Sequence, residues 1–459
     1  MVEVDGDTNI PTVINYSGEG VKVGRQAITV SSRPGGLLNE DFKIDLGSYD
    51  PKTLIRKRFR IQSGSEKSAA EITSDFLNEL LNRTRRWLSL NGLDIAPSIL
   101  LAEPLKDPDQ PNWIPNYRAN LTRIFVGKGF DKSKIDFLPE PFAVFQFYRY
   151  GYRHPALADK RTHRALILDF GGGTFDTFVI ETKKDGDIRY NGRNSDPLGA
   201  SSVPIGGFEI NRQIAEHLVI SFHKGNESKI KKGLEIYKKW RRTPEDLSSY
   251  SAEYFTFVQN FDRFVHDVEN VKIALSRNIS SWNLDNAPRI SVPVRVLQDF
   301  FSVSSSSQTQ QLHASELLNI FSKKIWPRLK EKIASTLNSA RSQMNGASIN
   351  VVLLSGGASG FGWLKMLLLR DFESEIREAN VLTLPEYHAI VAKGLAIECA
   401  RRFHVDKGDF GSVTYNRLCL TLDSDDKGEL LPKYAAKFGT EKTVLPDGVL
   451  LPSATALGH

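Results

Sequence analysis

Two strongly apolar runs stand out along this chain, Ala165-Leu166-Ile167-Leu168 and Ile349-Asn350-Val351-Val352-Leu353-Leu354, the second interrupted only by Asn350. Each is short and is followed within three residues by glycines, which predicts strands buried on both faces. Alternating and shorter runs predict further strands. Thr12 to Tyr16 and Val21 to Val23 flank Gly18-Glu19-Gly20 and read as a hairpin; Ser98 to Ala102, Ile135 to Leu138, Phe178 to Ile180 and Val292 to Leu297 read as single strands. Phe178 to Ile180 is expected to pair back on the first apolar strand.

Helical spacing of apolar residues appears at Ile72, Phe76, Leu77, Leu80, Leu81, Trp87 and Leu88, predicting a helix over 71–90 that Asn91-Gly92 closes. Asn116 to Lys128 and Trp363 to Phe372 are further helices, and Leu312 to Ser342 reads as one long amphipathic helix. Ile210 to Ser276 is helical and highly charged, Ser302 to Gln311 reads as a Ser/Gln-rich loop, and the chain beyond Ala400 turns to short strands such as Arg417 to Leu422. Alternating strands and helices make this an α/β protein. The two apolar strands lie far apart in sequence, so the expectation is two sheets, or two halves, facing one ligand.

The end of the first apolar strand carries the chemistry. Leu166 to Asp176 reads LILDFGGGTFD. Asp169 at the strand end could hold a hydrated Mg²⁺ beside phosphate oxygens. Gly171, Gly172 and Gly173 carry no Cβ, so their backbone amides can approach an anion. Thr174 offers a hydroxyl to a terminal phosphate. A glycine hairpin without a ligand is the plain alternative, and the acid before the glycines and the Thr-x-Asp after them argue against it. Asp169-Phe170-Gly171 also spells the metal-binding triplet of protein kinases. That reading fails because His163-Arg164 is followed by Ala165 and no glycine-rich loop with a strand lysine occurs.

Composition adds limits. The 459 residues are too many for one simple core and predict two or more lobes. The net charge of +6 is modest for that length and does not argue for nucleic acid. The densest basic run, Lys229 to Arg242, reads as a solvated helix face, without the interleaved aromatics of a base-stacking platform. Two cysteines, Cys399 and Cys419, show no zinc spacing and suit a reducing compartment. No apolar stretch approaches the length of a membrane span, and the first five residues do not form a signal peptide. The resulting expectation is a cytoplasmic protein with neither membrane nor nucleic-acid partners.

Taken in order, six motifs resemble those of the ATPase domain of DnaK-type heat-shock chaperones, within the actin-like ATPase superfamily. They cover roughly residues 10 to 400. LILDFGGGTFDTFVI is similar to the family's second phosphate motif, and Leu138 to Ala143 (LPEPFA) to its Glu-Pro-x-Ala connecting helix. Ile205-Gly206-Gly207-Phe208-Glu209 resembles the Gly-Gly-x-x-Phe-Asp segment, shortened and with Glu for Asp. Glu269 to Ser276 (ENVKIALS) resembles the Glu-x-x-Lys-x-x-Leu-Ser helix beside the adenosine. Leu354 to Ser359 (LSGGAS) resembles the adenosine motif, and Pro385 to Ala396 the closing helix.

The resemblance implies an actin-like fold, two lobes each with a mixed sheet and flanking helices and a nucleotide cleft between them. Residues 1–160 would form the first lobe, with a small subdomain near 12–85. Residues 161–400 would form the second, with a helical subdomain near 213–309, and 401–459 would begin a β-rich segment. It implies ATP or ADP with Mg²⁺ as cofactors and client proteins and co-chaperones as partners. Glu140 would orient water or metal, Asp169 would hold hydrated Mg²⁺, and Thr174 with the amides of Gly171 to Gly173 would bind phosphate. Gly206 and Gly207 would complete the phosphate side, with Gly356, Gly357, Ala358 and Ser359 against the adenosine and Glu269 and Lys272 near the ribose.

Departures accompany the match. The family's first phosphate motif, with an aspartate facing the position of Asp169, has no counterpart in the sequence, which implies impaired hydrolysis and a chain shortened at both ends. Lys43 stands as the counterpart of the lysine that contacts the phosphates. Ile273 replaces the arginine that packs on adenine, and Gly362 the proline of the adenosine motif. Three functions follow: a chaperone-type ATPase, a nucleotide-binding scaffold without turnover, or a sugar or acid kinase of the same superfamily. The charged helical stretch and the Glu-Pro-x-Ala segment favour the first.

Overall fold

The chain is described from a computed structural model. The described residues are 10–17, 20–31, 38–40, 42–48, 58–60, 66–93, 98–103, 113–152, 162–183, 195–223, 225–242, 250–344, 346–384, 386–404, 418–419 and 449–451. The hairpin expected near the start is β1 (Ile14–Ser17) with β2 (Gly20–Val23), followed by α1 (Arg25–Ser31). Next, β3 (Leu38–Asn39) pairs on the other edge of β1, giving the order β2-β1-β3. Then come α2 (Phe42–Ser48), the short antiparallel pair β4 (Arg58–Arg60) and β5 (Glu66–Ser68), and α3 (Ala69–Leu90).

A capping box starts α3. The Ser68 hydroxyl accepts from the Glu71 N–H, and the Glu71 carboxylate accepts from the Ser68 N–H, so two donors at the helix start are satisfied. Asn91 ends it and Gly92 turns with φ +67°. Ile14, Val23, Phe42, Ala69, Ile72 and Phe76 form the core beneath the three-stranded sheet. The parallel pair β6 (Ile99–Glu103) and β7 (Ile135–Pro139) flanks α4 (Trp113–Gly127), and Leu46, Trp113, Tyr117, Leu121 and Phe125 pack there. Among the described residues, the first third of the chain thus forms a three-stranded and two two-stranded sheets, where one mixed sheet was expected.

Pro141, in the first turn, fits the start of α5 (Glu140–Gln146), where a missing N–H costs nothing. The central sheet follows: β8 (Thr162–Phe170), β9 (Phe175–Lys183) and β10 (Ser195–Val203). The charged stretch folds into α6 (Gly207–Phe222), α7 (Glu227–Arg242) and α8 (Ala252–Asn278). The antiparallel pair β11 (Ser291–Leu297) and β12 (Ser307–His313) comes next. The Ser/Gln-rich loop is therefore shorter than expected, because residues from Ser307 onward meet the partner strand that the local composition does not reveal.

The long helix begins as α9 (Ala314–Ile320), passes through one π turn (Phe321–Ile325) and continues as α10 (Trp326–Met344). Then come β13 (Val351–Ser355), α11 (Gly362–Asp371), α12 (Glu373–Ile376), β14 (Asn380–Thr383) and α13 (Ile390–His404). Two short strands, β15 (Leu418–Cys419) and β16 (Val449–Leu451), pair beyond them. Of the expected strand Arg417 to Leu422, all but 418–419 lies outside the described residues.

The central sheet has five strands in the order β10-β9-β8-β13-β14. Leu166, Leu168, Phe170, Val352 and Leu354 belong to a core shared with α6, α8 and α10; Ala165, Ile167, Val351 and Leu353 belong to a second core shared with α5 and α13. Covering both faces is why these strands are apolar without alternation. One expectation is corrected here. The two apolar strands do not sit in two facing sheets: β8 and β13 are parallel neighbours in one, with Asp169 opposite Ser355. Among the described residues no helix is long and apolar enough to cross a membrane.

Candidate functional site

Because β8 and β13 run parallel, their glycine turns emerge side by side at the carboxyl edge of the sheet, where ligands of open α/β sheets bind. The β8–β9 turn is closed by the Gly171 N–H donating to the Thr174 carbonyl at 3.0 Å. Gly172 and Gly173 are exposed at its tip, and a Cβ on Gly172 would meet nothing within 4 Å. That tip has open space in front of its backbone.

The second turn fits against the first only as glycine. Gly356 has φ +84°, and a Cβ there would lie 2.4 Å from the Phe170 carbonyl group and 2.6 Å from Asp169 Oδ1. Gly357 is exposed and open, whereas Ala358 and Ser359 are buried and the Ser359 hydroxyl donates back to the Ser355 carbonyl. Gly357 is thus the surface of this turn, and Ala358 and Ser359 form its footing.

A third segment locks the first turn from behind. The Gly207 N–H donates to the Gly171 carbonyl at 2.9 Å and the Phe208 N–H to the Gly172 carbonyl at 3.0 Å. A Cβ on Gly206 would lie 2.2 Å from the Gly172 carbonyl group. Gly206 therefore serves the packing of two backbones. Lys272 reaches the same segment from α8, donating to the Gly207 carbonyl at 3.3 Å and to Glu269 at 2.7 Å, while Asn211 also donates to Glu269. Lys272 is buried, and burial pulls its ammonium below the usual lysine range although Glu269 pulls it up. Glu269 and Lys272 thus brace the 206–207 segment behind the first turn.

Four charged groups converge in front of β8. Asp169 and Asp176 are buried and directly opposite each other across β8 and β9. Glu140 opens α5, and Lys43 from α2 donates to its Oε1 at 2.9 Å. Thr174 donates its hydroxyl to Asp176 at 3.0 Å. Burial pushes the Asp169 carboxyl well above the usual carboxylate range, and the charges of Glu140 and Asp176 push it the same way. Burial pulls Lys43 down, but Glu140, Tyr117 and Asp176 outweigh that and hold its ammonium above the usual lysine range. Three acids around one lysine form a place where a further cation is stabilised.

That charge pattern is the test of whether Mg²⁺ fits. A carboxyl forced toward its protonated form by burial and two acids is relieved by a dication, and hard oxygen donors suit Mg²⁺. Asp169, Asp176 and Glu140 would hold it directly or through water. Thr174 and the open backbone at Gly172 lie on the turn between Asp169 and Asp176. Sequence reasoning singled out Glu140, Asp169, Thr174 and the glycines, and saw Asp176 only as part of Thr-x-Asp. Asn211 carried no signal, because its role comes from α6 packing on α8. Scanned against protein-family models and searched against curated proteins, the chain matches none of them.

Proposed function

We propose that this chain is an actin-like nucleotide-binding protein of the DnaK-type chaperone kind, taking Mg²⁺ with ATP or ADP at the edge where β8 and β13 end. One observation carries the reading: Lys43, Glu140, Asp169, Thr174 and Asp176, drawn from distant parts of the chain, meet in front of two adjoining glycine turns. Bound Mg²⁺ would neutralise charge on the phosphates. The chain's own groups divide the rest: Lys43 offers positive charge to a phosphate oxygen, Thr174 a hydroxyl donor, and Glu140 orients water at the phosphate end. Gly357 and Glu269 would face the base and ribose. Coupling to protein partners belongs to the same proposal and rests on the motif resemblance.

The test is calorimetric titration of the full chain with ADP and ATP, each with and without Mg²⁺, together with a phosphate-release assay. Mg²⁺-dependent binding that Asp169→Asn abolishes supports the reading. Absence of nucleotide binding, or equal binding by wild type and Asp169→Asn in both conditions, refutes it. Binding without phosphate release selects a nucleotide-binding scaffold, and turnover appearing only with added sugars or short acids selects a kinase.

A further inference from the structure

Three side chains of mixed chemistry, none of them assigned a role above, meet across the fold. Glu40 follows β3 directly, and Asp262 and His266 lie four residues apart on α8, hence on one helix face. One ligand atom from each lies within 4.8 Å of the others, and all three residues are partly buried. Glu40 Oε2 is 2.9 Å from His266 Nε2.

We propose that Glu40, Asp262 and His266 form a binding site for a first-row divalent cation, zinc in particular, that clips the sheet of β1–β3 to α8. The donor set decides the metal class. Imidazole with two carboxylates suits Zn²⁺, while Mg²⁺ and Ca²⁺ take oxygen donors. Ligand atoms of a tetrahedral zinc site are roughly 3.4 Å apart, given bonds of about 2.1 Å. The His266–Glu40 pair is already inside that spacing, and carboxylate rotation closes the remainder.

The neighbours orient these ligands, as the surroundings of metal sites do. Tyr237 donates its hydroxyl to Asp262 Oδ1 at 2.9 Å, and the Phe208 ring lies 6.0 Å from the His266 ring, tilted against it. An ion held by three protein ligands keeps further positions for water. The site stands without the nucleotide reading, but its consequence touches it: His266 precedes Glu269 and Lys272 on the same helix, so the clip would fix the helix that braces the 206–207 segment.

The experiment uses the full chain, stripped of metal and free of nucleotide, titrated with Zn²⁺ against a chromophoric chelator. Wild type is expected to bind one Zn²⁺, with His266→Gln and Glu40→Gln each at least about tenfold weaker. Mg²⁺ and Ca²⁺ in excess should not compete. No zinc binding by wild type, or equal affinity in both variants, overturns the proposal. Crystals of wild type soaked in Zn²⁺ decide independently of whether a variant folds: an anomalous peak between Glu40 and His266 supports the site, and zinc found only elsewhere overturns it. Because no nucleotide is present, failure here leaves the nucleotide reading untouched.

Discussion

Gly394→Ala separates two opposing effects that the structure sizes. Gly394 lies in α13, facing α5, and a Cβ there would fall 1.7 Å from the Ala143 carbonyl oxygen and 2.4 Å from its carbon. In an isolated helix the change would gain about 1 kcal/mol, because alanine orders more readily than glycine. Here the obstacle is backbone, which cannot rotate away, so the helices must part by more than about 1 Å; overpacking of this kind costs typically 1–3 kcal/mol and occasionally more.

The contact also separates Phe142, Val144 and Ile390, all fully buried in the same core. The upper part of that range applies, leaving a net loss of about 2 kcal/mol after the helix gain. The assay is urea unfolding followed by circular dichroism, comparing midpoints at unchanged slope. Gly127→Ala at the end of α4, where an added Cβ meets nothing within 4 Å, serves as the reference in which the helix gain acts without a clash. Nucleotide titration should show a second effect, because α5 begins at Glu140 and moves with the displaced helix. If Gly394→Ala stabilises the protein by the helix-propensity amount, the close approach of α5 and α13 is wrong.

Asp169→Asn should remove the Mg²⁺-dependent part of nucleotide binding while raising the thermal midpoint of the unliganded protein, since it relieves a carboxyl crowded by Glu140 and Asp176; a lowered midpoint contradicts the charge argument. Lys43→Ala should cost on the order of 1 kcal/mol, discounted because the Lys43 side chain is 41% exposed, and should weaken ATP more than adenosine in a titration. Thr174→Ala should leave adenosine affinity unchanged and lower any phosphate release, measured in parallel. His223 gives a pH signature. Burial pulls its imidazole below the usual value, against the pull of the Leu297 carbonyl and Asp299. The unfolded chain therefore takes up the proton first, so stability is full above about pH 6.5 and falls as pH drops through that value toward the lower folded one. Unfolding free energies of wild type and His223→Gln between pH 7.5 and 5 should diverge in that window, with wild type falling more steeply.

Much of the local structure is legible in the residues themselves. The hairpin around Gly20, the closing turn at Gly92 and the two apolar strands each need only short-range chemistry, namely periodicity and glycine's freedom at positive φ. The glycine turn after β8 is readable for the same reason, since acid, glycines, threonine and second acid are contiguous. Strand β12 was not: a Ser- and Gln-rich stretch becomes a strand only because β11 pairs along its length.

What tertiary structure alone decided is adjacency between distant segments. Nothing local says that β13 lies beside β8, yet that pairing sets Gly356 against Asp169 and turns two separate motifs into one edge. Lys43 meeting Glu140, and Glu40 meeting His266, arise from helix and sheet packing over long loops in the chain. The physical division is that of range. Dihedral preference and hydrophobic period act within a few residues and are written in the sequence, whereas pairing partners, and the burial that shifts the charge on Asp169, exist only once the chain has closed on itself.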